Sequence, residues 1–97
     1  MKMTERIESR ERCAEAGWYA FDYLLDTGMN REFIEALRAF GGSFVFLTML
    51  KKPFFKIESE HYILKGLLDE PFFRMAVHQD YPEELMRLEK LLKDLEE

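Results

Sequence analysis

Ninety-seven residues, 47% hydrophobic and 34% charged, are enough for one globular domain with its own core and do not have the composition of a disordered chain. A formal net charge of -5 argues against duplex nucleic acid or an anionic membrane as the main partner, since both demand a positive field. The single cysteine, Cys13, excludes an internal disulfide, and the longest apolar run, Phe44 to Leu50, is far too short to span a bilayer. The N-terminus MKMTERIESRERC lacks the apolar stretch of a secretion signal, so the expectation is a soluble, cytoplasmic protein.

From Thr4 to Asp26 the spacing of Ile7, Ala14, Trp18, Phe21 and Leu25 predicts a helix with one apolar face. Its first two turns are almost wholly charged, and Gly28 supplies a stop. Asn30 is placed as the N-cap of a second helix, with Met29 and Ile34 set as a hydrophobic staple. Phe33, Leu37 and Phe40 mark its buried face, and Gly41-Gly42 ends it. The short Thr27-Gly28-Met29 turn predicts an antiparallel helical hairpin.

Between this helix and the C-terminus one pattern occurs twice, as LKKPFFKI (50–57) and LDEPFFRM (68–75), with the charges before the proline inverted. The match extends from FVFLTMLKKPFFKIESE to YILKGLLDEPFFRMAVH at an offset of eighteen residues. Each copy holds two β-rich runs around a charged pair, which predicts two β-hairpins joined into a four-stranded antiparallel meander. With Lys51-Lys52 and Asp69-Glu70 as turn residues, counting outwards sets Thr48 opposite Phe55, Phe46 opposite Ile57, Gly66 opposite Phe73, Leu64 opposite Met75 and Tyr62 opposite Val77. A small residue then faces each phenylalanine. Both turns fall at one end of the sheet, where their opposite charges attract. The last segment, PEELMRLEKLLKDLEE, predicts a helix capped by Asp80 and Glu83, with Leu85, Leu88, Leu91, Leu92 and Leu95 packing on the sheet. The expected architecture is therefore a single α+β domain over residues 1–97: two N-terminal helices, the meander and a C-terminal helix.

The same register turns Val45, Leu47, Met49, Phe54, Ile63, Leu67 and Phe72 to the opposite face, with Lys56, Lys65, Arg74, Glu58 and Ala76 among them. A solvent face of an antiparallel sheet is normally mostly polar, so something should cover this one. Three coverings are open: the C-terminal helix, in a three-layer α/β/α sandwich; a second copy of the chain; or a partner or ligand. Met49, Phe54, Lys56, Lys65, Leu67, Phe72 and Arg74 form the expected interface. Lys65 and Arg74 are cross-strand neighbours of like charge and call for an anion, for which the acidic C-terminal helix is the nearest internal source.

Signals for chemistry are weak. Phe54 and Phe72 beside Lys56 and Arg74 are the residue types that stack and neutralise single-stranded nucleic acid, or a small anionic ligand, but no RNA-recognition signature accompanies them. His61 and His78 fall at one end of the meander near Glu58, Glu60 and Asp80, a conceivable metal site without ligand spacing of any known kind. Cys13, Ser9, Ser43 and Ser59 have no base placed by sequence, no glycine-rich loop precedes a helix, and Asp22 and Asp26 read as a solvated edge. The expectation is a small acidic binding or regulatory protein, homodimeric or bound to another protein, without catalysis or cofactor; the alternative is a ligand-binding or single-strand-binding sheet face.

Overall fold

The computed structural model describes residues 2–8, 17–49 and 51–95. Among them are six strands and two helices: β1 (Met3–Glu8), β2 (Trp18–Leu25), α1 (Arg31–Leu37, extended by a 3-10 turn Arg38–Phe40), β3 (Ser43–Leu47), β4 (Phe54–Glu58), β5 (Tyr62–Leu67), β6 (Phe72–His78) and α2 (Glu83–Leu95). The strands form one antiparallel sheet in the order β1-β2-β6-β5-β4-β3. The repeated segment supplies the meander β3 to β6, and β1 and β2 complete the sheet on the far side of β6.

The first expected helix is thereby overturned. Over its described residues it is the hairpin β1–β2, and Ala14 and Cys13 lie outside them. WYAFDYLL satisfies a helical spacing through Trp18, Phe21 and Leu25, and equally an alternation through Tyr19, Phe21, Tyr23 and Leu25. Four aromatics in eight residues favour the pleated arrangement, and pairing with β6 over seven positions decides for it. Helical reasoning put Ile7, Trp18, Phe21 and Leu25 on one face, but the strand registers divide them. Phe21 pairs with Met75 on the core side, while Ile7 pairs with Asp22 on the other.

The second helix begins as its sequence requires. Asn30 Oδ1 accepts from the Phe33 N–H at 2.8 Å, and the staple residues Met29 and Ile34 are fully buried. It ends at Gly41 and Gly42, both at positive φ (101° and 117°). Among the described residues there is no helical hairpin for it to join. Instead Met29 N–H donates to the Glu70 carbonyl and Asp69 N–H to the Met29 carbonyl, which fastens the start of α1 to the β5–β6 turn. The approach is close enough that a Cβ on Gly28 would lie 2.3 Å from the Asp69 carbonyl oxygen.

The second hairpin has the expected register: Gly66 opposite Phe73, Leu64 opposite Met75, Tyr62 opposite Val77. The first is shifted by two residues, so that Phe46 faces Phe55 and Phe44 faces Ile57. Turn chemistry explains the difference. The β5–β6 turn closes over residues 68–71 with Asp69 at φ 72°, a left-handed conformation that Asp tolerates. The equivalent residue in the first copy is Lys51, ill suited to that region, and the connection opens to residues 48–53. A shift of two leaves every side chain on its original face. The two turns still meet, and Lys52 Nζ pairs with Glu70 Oε1 at 2.5 Å.

Both helices lie on one face of the sheet. Phe33, Ile34 and Leu37 of α1 and Leu88 and Leu92 of α2 join Tyr23, Phe55, Ile57, Tyr62, Leu64, Phe73, Met75 and Val77 in a single buried cluster. Burial of each large side chain contributes roughly 1.5–3 kcal/mol. Tyr23 stacks on Phe73 with centroids 5.4 Å apart, and Phe40 sits 4.4 Å from Tyr62. Arg87 ties α2 to the end of α1: its guanidinium lies 3.8 Å above the Phe40 ring and donates to the Phe40 carbonyl at 2.8 Å. Of the three coverings left open, the three-layer sandwich is thus not formed: the described helices and sheet make two layers. Asp80 does not cap α2; its exposed carboxylate faces His78 Nδ1 at 3.6 Å.

Candidate functional site

With both helices on one side, the other face of the sheet carries no described element. The strand pairings lay its side chains out in rows perpendicular to the strands. One row runs Glu5, Leu24, Phe72, Leu67, Phe54, Leu47 from β1 to β3. From Leu24 to Leu47 it is five large apolar side chains on adjacent strands, spanning roughly 19 Å at the usual strand spacing. The next row is Ile7, Asp22, Arg74, Lys65, Lys56, Val45, and beyond it come Ala20, Ala76, Ile63, Glu58 and Ser43. An apolar line therefore lies beside a charged line of three consecutive cations, roughly 7 Å away along the strands.

Phe54, Leu67, Phe72, Ile63 and Leu24 are half-buried, sheltered by one another, and none belongs to the packed core or its fringe. Towards the β3 edge exposure rises, to 39% at Val45 and 48% at Leu47. Of the seven residues the sequence assigned to this surface, Phe54, Lys56, Lys65, Leu67, Phe72 and Arg74 lie in the two rows. Met49 does not: it stands in the β3–β4 connection, 97% exposed, because the register shift carried it out of the strand.

Helix α2 covers the opposite face and brings no described anion to Arg74. Among the described residues Asp22 of β2 stands beside it: its Oδ1 accepts from Arg74 Nε at 2.7 Å and its Oδ2 from Nη2 at 3.4 Å. Partial burial raises the Asp22 carboxyl above its ordinary value, while the adjacent guanidinium favours its charged form. Lys56 Nζ lies 3.6 Å from Glu58 Oε1. Between these pairs Lys65 is flanked by Arg74 and Lys56, and no carboxylate pairs with it among the described residues. Asp22 and the apolar Leu24, Ala20, Trp18 and Ile7 were missed by sequence reasoning because their segment reads as helix. The period-2 pattern of Tyr19, Phe21, Tyr23 and Leu25 is the signal that places them.

At the far end of the sheet lie the only tryptophan of the sequence and the two histidines. Trp18 packs edge-on to His78 at 5.4 Å, and His61 stacks on Tyr81 at 3.7 Å with the rings 15° from parallel. His78 Nδ1 accepts from the Asp80 N–H at 3.1 Å. The strand ends do bring His61 and His78 to one side, yet each ring is engaged with an aromatic neighbour. Among the described residues no three His, Cys, Asp or Glu side chains gather as a metal would require. Ser9 and Cys13 lie outside the described residues. No helix among the described residues is long and apolar enough to cross a membrane. No protein-family model, curated protein or solved structure matches the chain.

Proposed function

We propose that the chain is a binding protein without chemistry of its own, whose open sheet face docks an acidic amphipathic helix of another protein. The observation that carries this is the pairing of the two rows: five apolar side chains in a line, with Arg74, Lys65 and Lys56 in line beside them. An apolar strip of this size on a surface marks an interaction site. Its length fits a helix of roughly thirteen residues at 1.5 Å per residue, with leucine-like side chains on the apolar row. Carboxylates along one flank of that helix would meet the cations, and Lys65 gains a counter-charge that no described residue gives it. Complementary charge sets orientation and partner choice more than raw affinity.

Phe54 and Phe72 stand two strands apart with Leu67 between them, and both are half-buried, which favours packing over the display of rings for stacking bases. The test follows the fluorescence anisotropy of a dye-labelled synthetic helical peptide carrying leucine at heptad spacing flanked by glutamate, which is expected to rise on titration with the chain. A peptide with lysine in place of glutamate is expected to bind at least tenfold more weakly. Phe72→Asp should abolish the response while the far-ultraviolet circular dichroism stays unchanged. Equal binding of both peptides, or a response to an oligothymidylate and to neither peptide, overturns the reading.

A further inference from the structure

The sheet has two edges, and they are built in opposite ways. β1 reads MTERIE, with Glu5, Arg6 and Glu8 in the strand and an irregularity between Met3 and Glu5 where the register shifts. Charges and bulges are the usual means by which an edge strand is kept from pairing with another chain. β3 reads SFVFL and continues as Thr48-Met49: it has no charge, no proline and no break in its register with β4. Its outer backbone groups have no described strand beside them. Val45 and Leu47 are the exposed side chains of this edge on the open face. On the core face Phe44 and Phe46 lie with their rings 6.3 Å apart, under the guanidiniums of Arg38 and Arg31 at 5.0 and 5.8 Å.

We infer that β3 pairs with β3 of a second copy, antiparallel about a two-fold axis through Val45, to make one continuous twelve-stranded sheet. The occupant follows from the sequence of the edge, which is self-complementary. Centred on Val45, the segment Phe44-Val45-Phe46 sets each Phe44 opposite the other copy's Phe46, so the axis creates two aromatic cross-strand pairs on the core face. Val45 meets its own counterpart on the open face. Pairing β3 with the other copy's β1 would instead be a head-to-tail contact, which cannot close as a two-fold dimer, and the charged, irregular β1 opposes it.

The axis runs perpendicular to the sheet, so the two open faces end on the same side. Resting on the docking reading above, the dimer then offers two binding strips held on one rigid surface, and a partner with two acidic helices would gain from the second through effective concentration. The pairing itself stands without that reading, and its test is independent of any peptide.

Sedimentation velocity and native mass spectrometry of the wild-type chain are expected to show a dimer. Val45→Lys and Val45→Glu should each be monomeric, since like charges then meet across the axis, and an equimolar mixture of the two should regain the dimer as a heterodimer. In a Cys13→Ser background, Val45→Cys should oxidise to a covalent dimer, because directly opposed residues have Cα atoms about 4.5–5.5 Å apart, within disulfide reach. Leu47→Cys should not, because its opposite residue is Ser43. A monomeric wild type, a dimer indifferent to Val45→Lys, or cross-linking at position 47 in preference to 45 overturns the pairing. If the dimer is confirmed and the glutamate peptide fails to bind, the docking reading alone falls.

Discussion

Gly66 is the position where one added methyl group tests the packing of the core itself. It lies opposite Phe55 on one side and Phe73 on the other, at the middle of the core face. A Cβ there would stand 2.8 Å from Phe55 Cε1, 3.0 Å from Met29 Cε and 3.1 Å from Phe73 Cβ. All three neighbours are fully buried. The Met29 methyl can swing and the Phe55 ring can tilt, but Phe73 Cβ is fixed to the backbone of the adjacent strand. Two effects oppose each other. Alanine restricts the unfolded chain, which favours folding by about 0.4–1 kcal/mol. Overpacking a closed core costs about 1–3 kcal/mol. With close contacts on three sides the second wins, and Gly66→Ala is expected to lose about 1–2 kcal/mol. For a domain of this size that lowers Tm by about 10 °C. Urea unfolding followed by circular dichroism, at one fixed protein concentration, should show a lower midpoint with an unchanged slope. Shortening the ring in Phe55→Leu should make the alanine less costly, a coupling visible in a double-mutant cycle. A Gly66→Ala chain as stable as wild type would refute the packing argument.

The fully buried Tyr23 hydroxyl has no hydrogen-bond partner among the described residues and sits beside the Arg6–Glu89 ion pair. Burial, with the Glu89 charge adding to it and Arg6 opposing, pushes its pKa from 10.0 up to about 12. The neutral phenol is thus favoured in the folded state. Its contribution is complete below pH 10 and is lost as pH rises from 10 to 12, to a limit of about 3 kcal/mol at 1.36 kcal/mol per pH unit. Tyr23→Phe should be neutral or slightly stabilising at pH 7 and should flatten stability between pH 10 and 12, with one late-titrating phenol gone from the ultraviolet titration. Arg87→Lys should cost about 1–2 kcal/mol in thermal unfolding, since a lysine cannot stack on Phe40 while reaching both its carbonyl and Glu84. Asp69→Gly should leave stability unchanged or raise it by up to about 1 kcal/mol by removing a non-glycine residue from φ 72°, whereas Asp69→Val should lower the urea midpoint.

The repeated segment was legible because its strands are short, alternate cleanly and are flanked by the same proline and turn. From it the faces of Phe54, Phe55, Phe72 and Phe73 follow by parity alone, and parity survives the two-residue shift that accompanies the longer connection around Lys51. The helix start at Asn30 was legible because a cap is a local device, set by one side chain and the N–H three residues on. The first segment was misread because its two periodicities are both satisfied, and the choice between them is made by β6, a strand fifty residues away. That one error moved the covering helix to the wrong face and hid the Asp22 carboxylate beside Arg74. It also kept a three-layer sandwich among the open alternatives, where both described helices lie on one face of the sheet.

Alternation in the meander also separates the two jobs of each strand in a way that substitutions can read. In β4 and β6 the odd positions Phe55, Ile57, Phe73, Met75 and Val77 belong to the core, and the even positions Phe54, Lys56, Phe72, Arg74 and Ala76 belong to the open face. Aspartate at any odd position buries an unpaired carboxylate and should unfold the chain. At Phe54 or Phe72 the same change places the charge on a half-buried surface next to Lys56 or Arg74, where water and a cation are in reach. A scan along β6 should therefore alternate residue by residue between loss of fold and loss of association. If stability instead fell evenly along the strand, the open face would be as tightly packed as the core, and something in the folded chain would have to cover it.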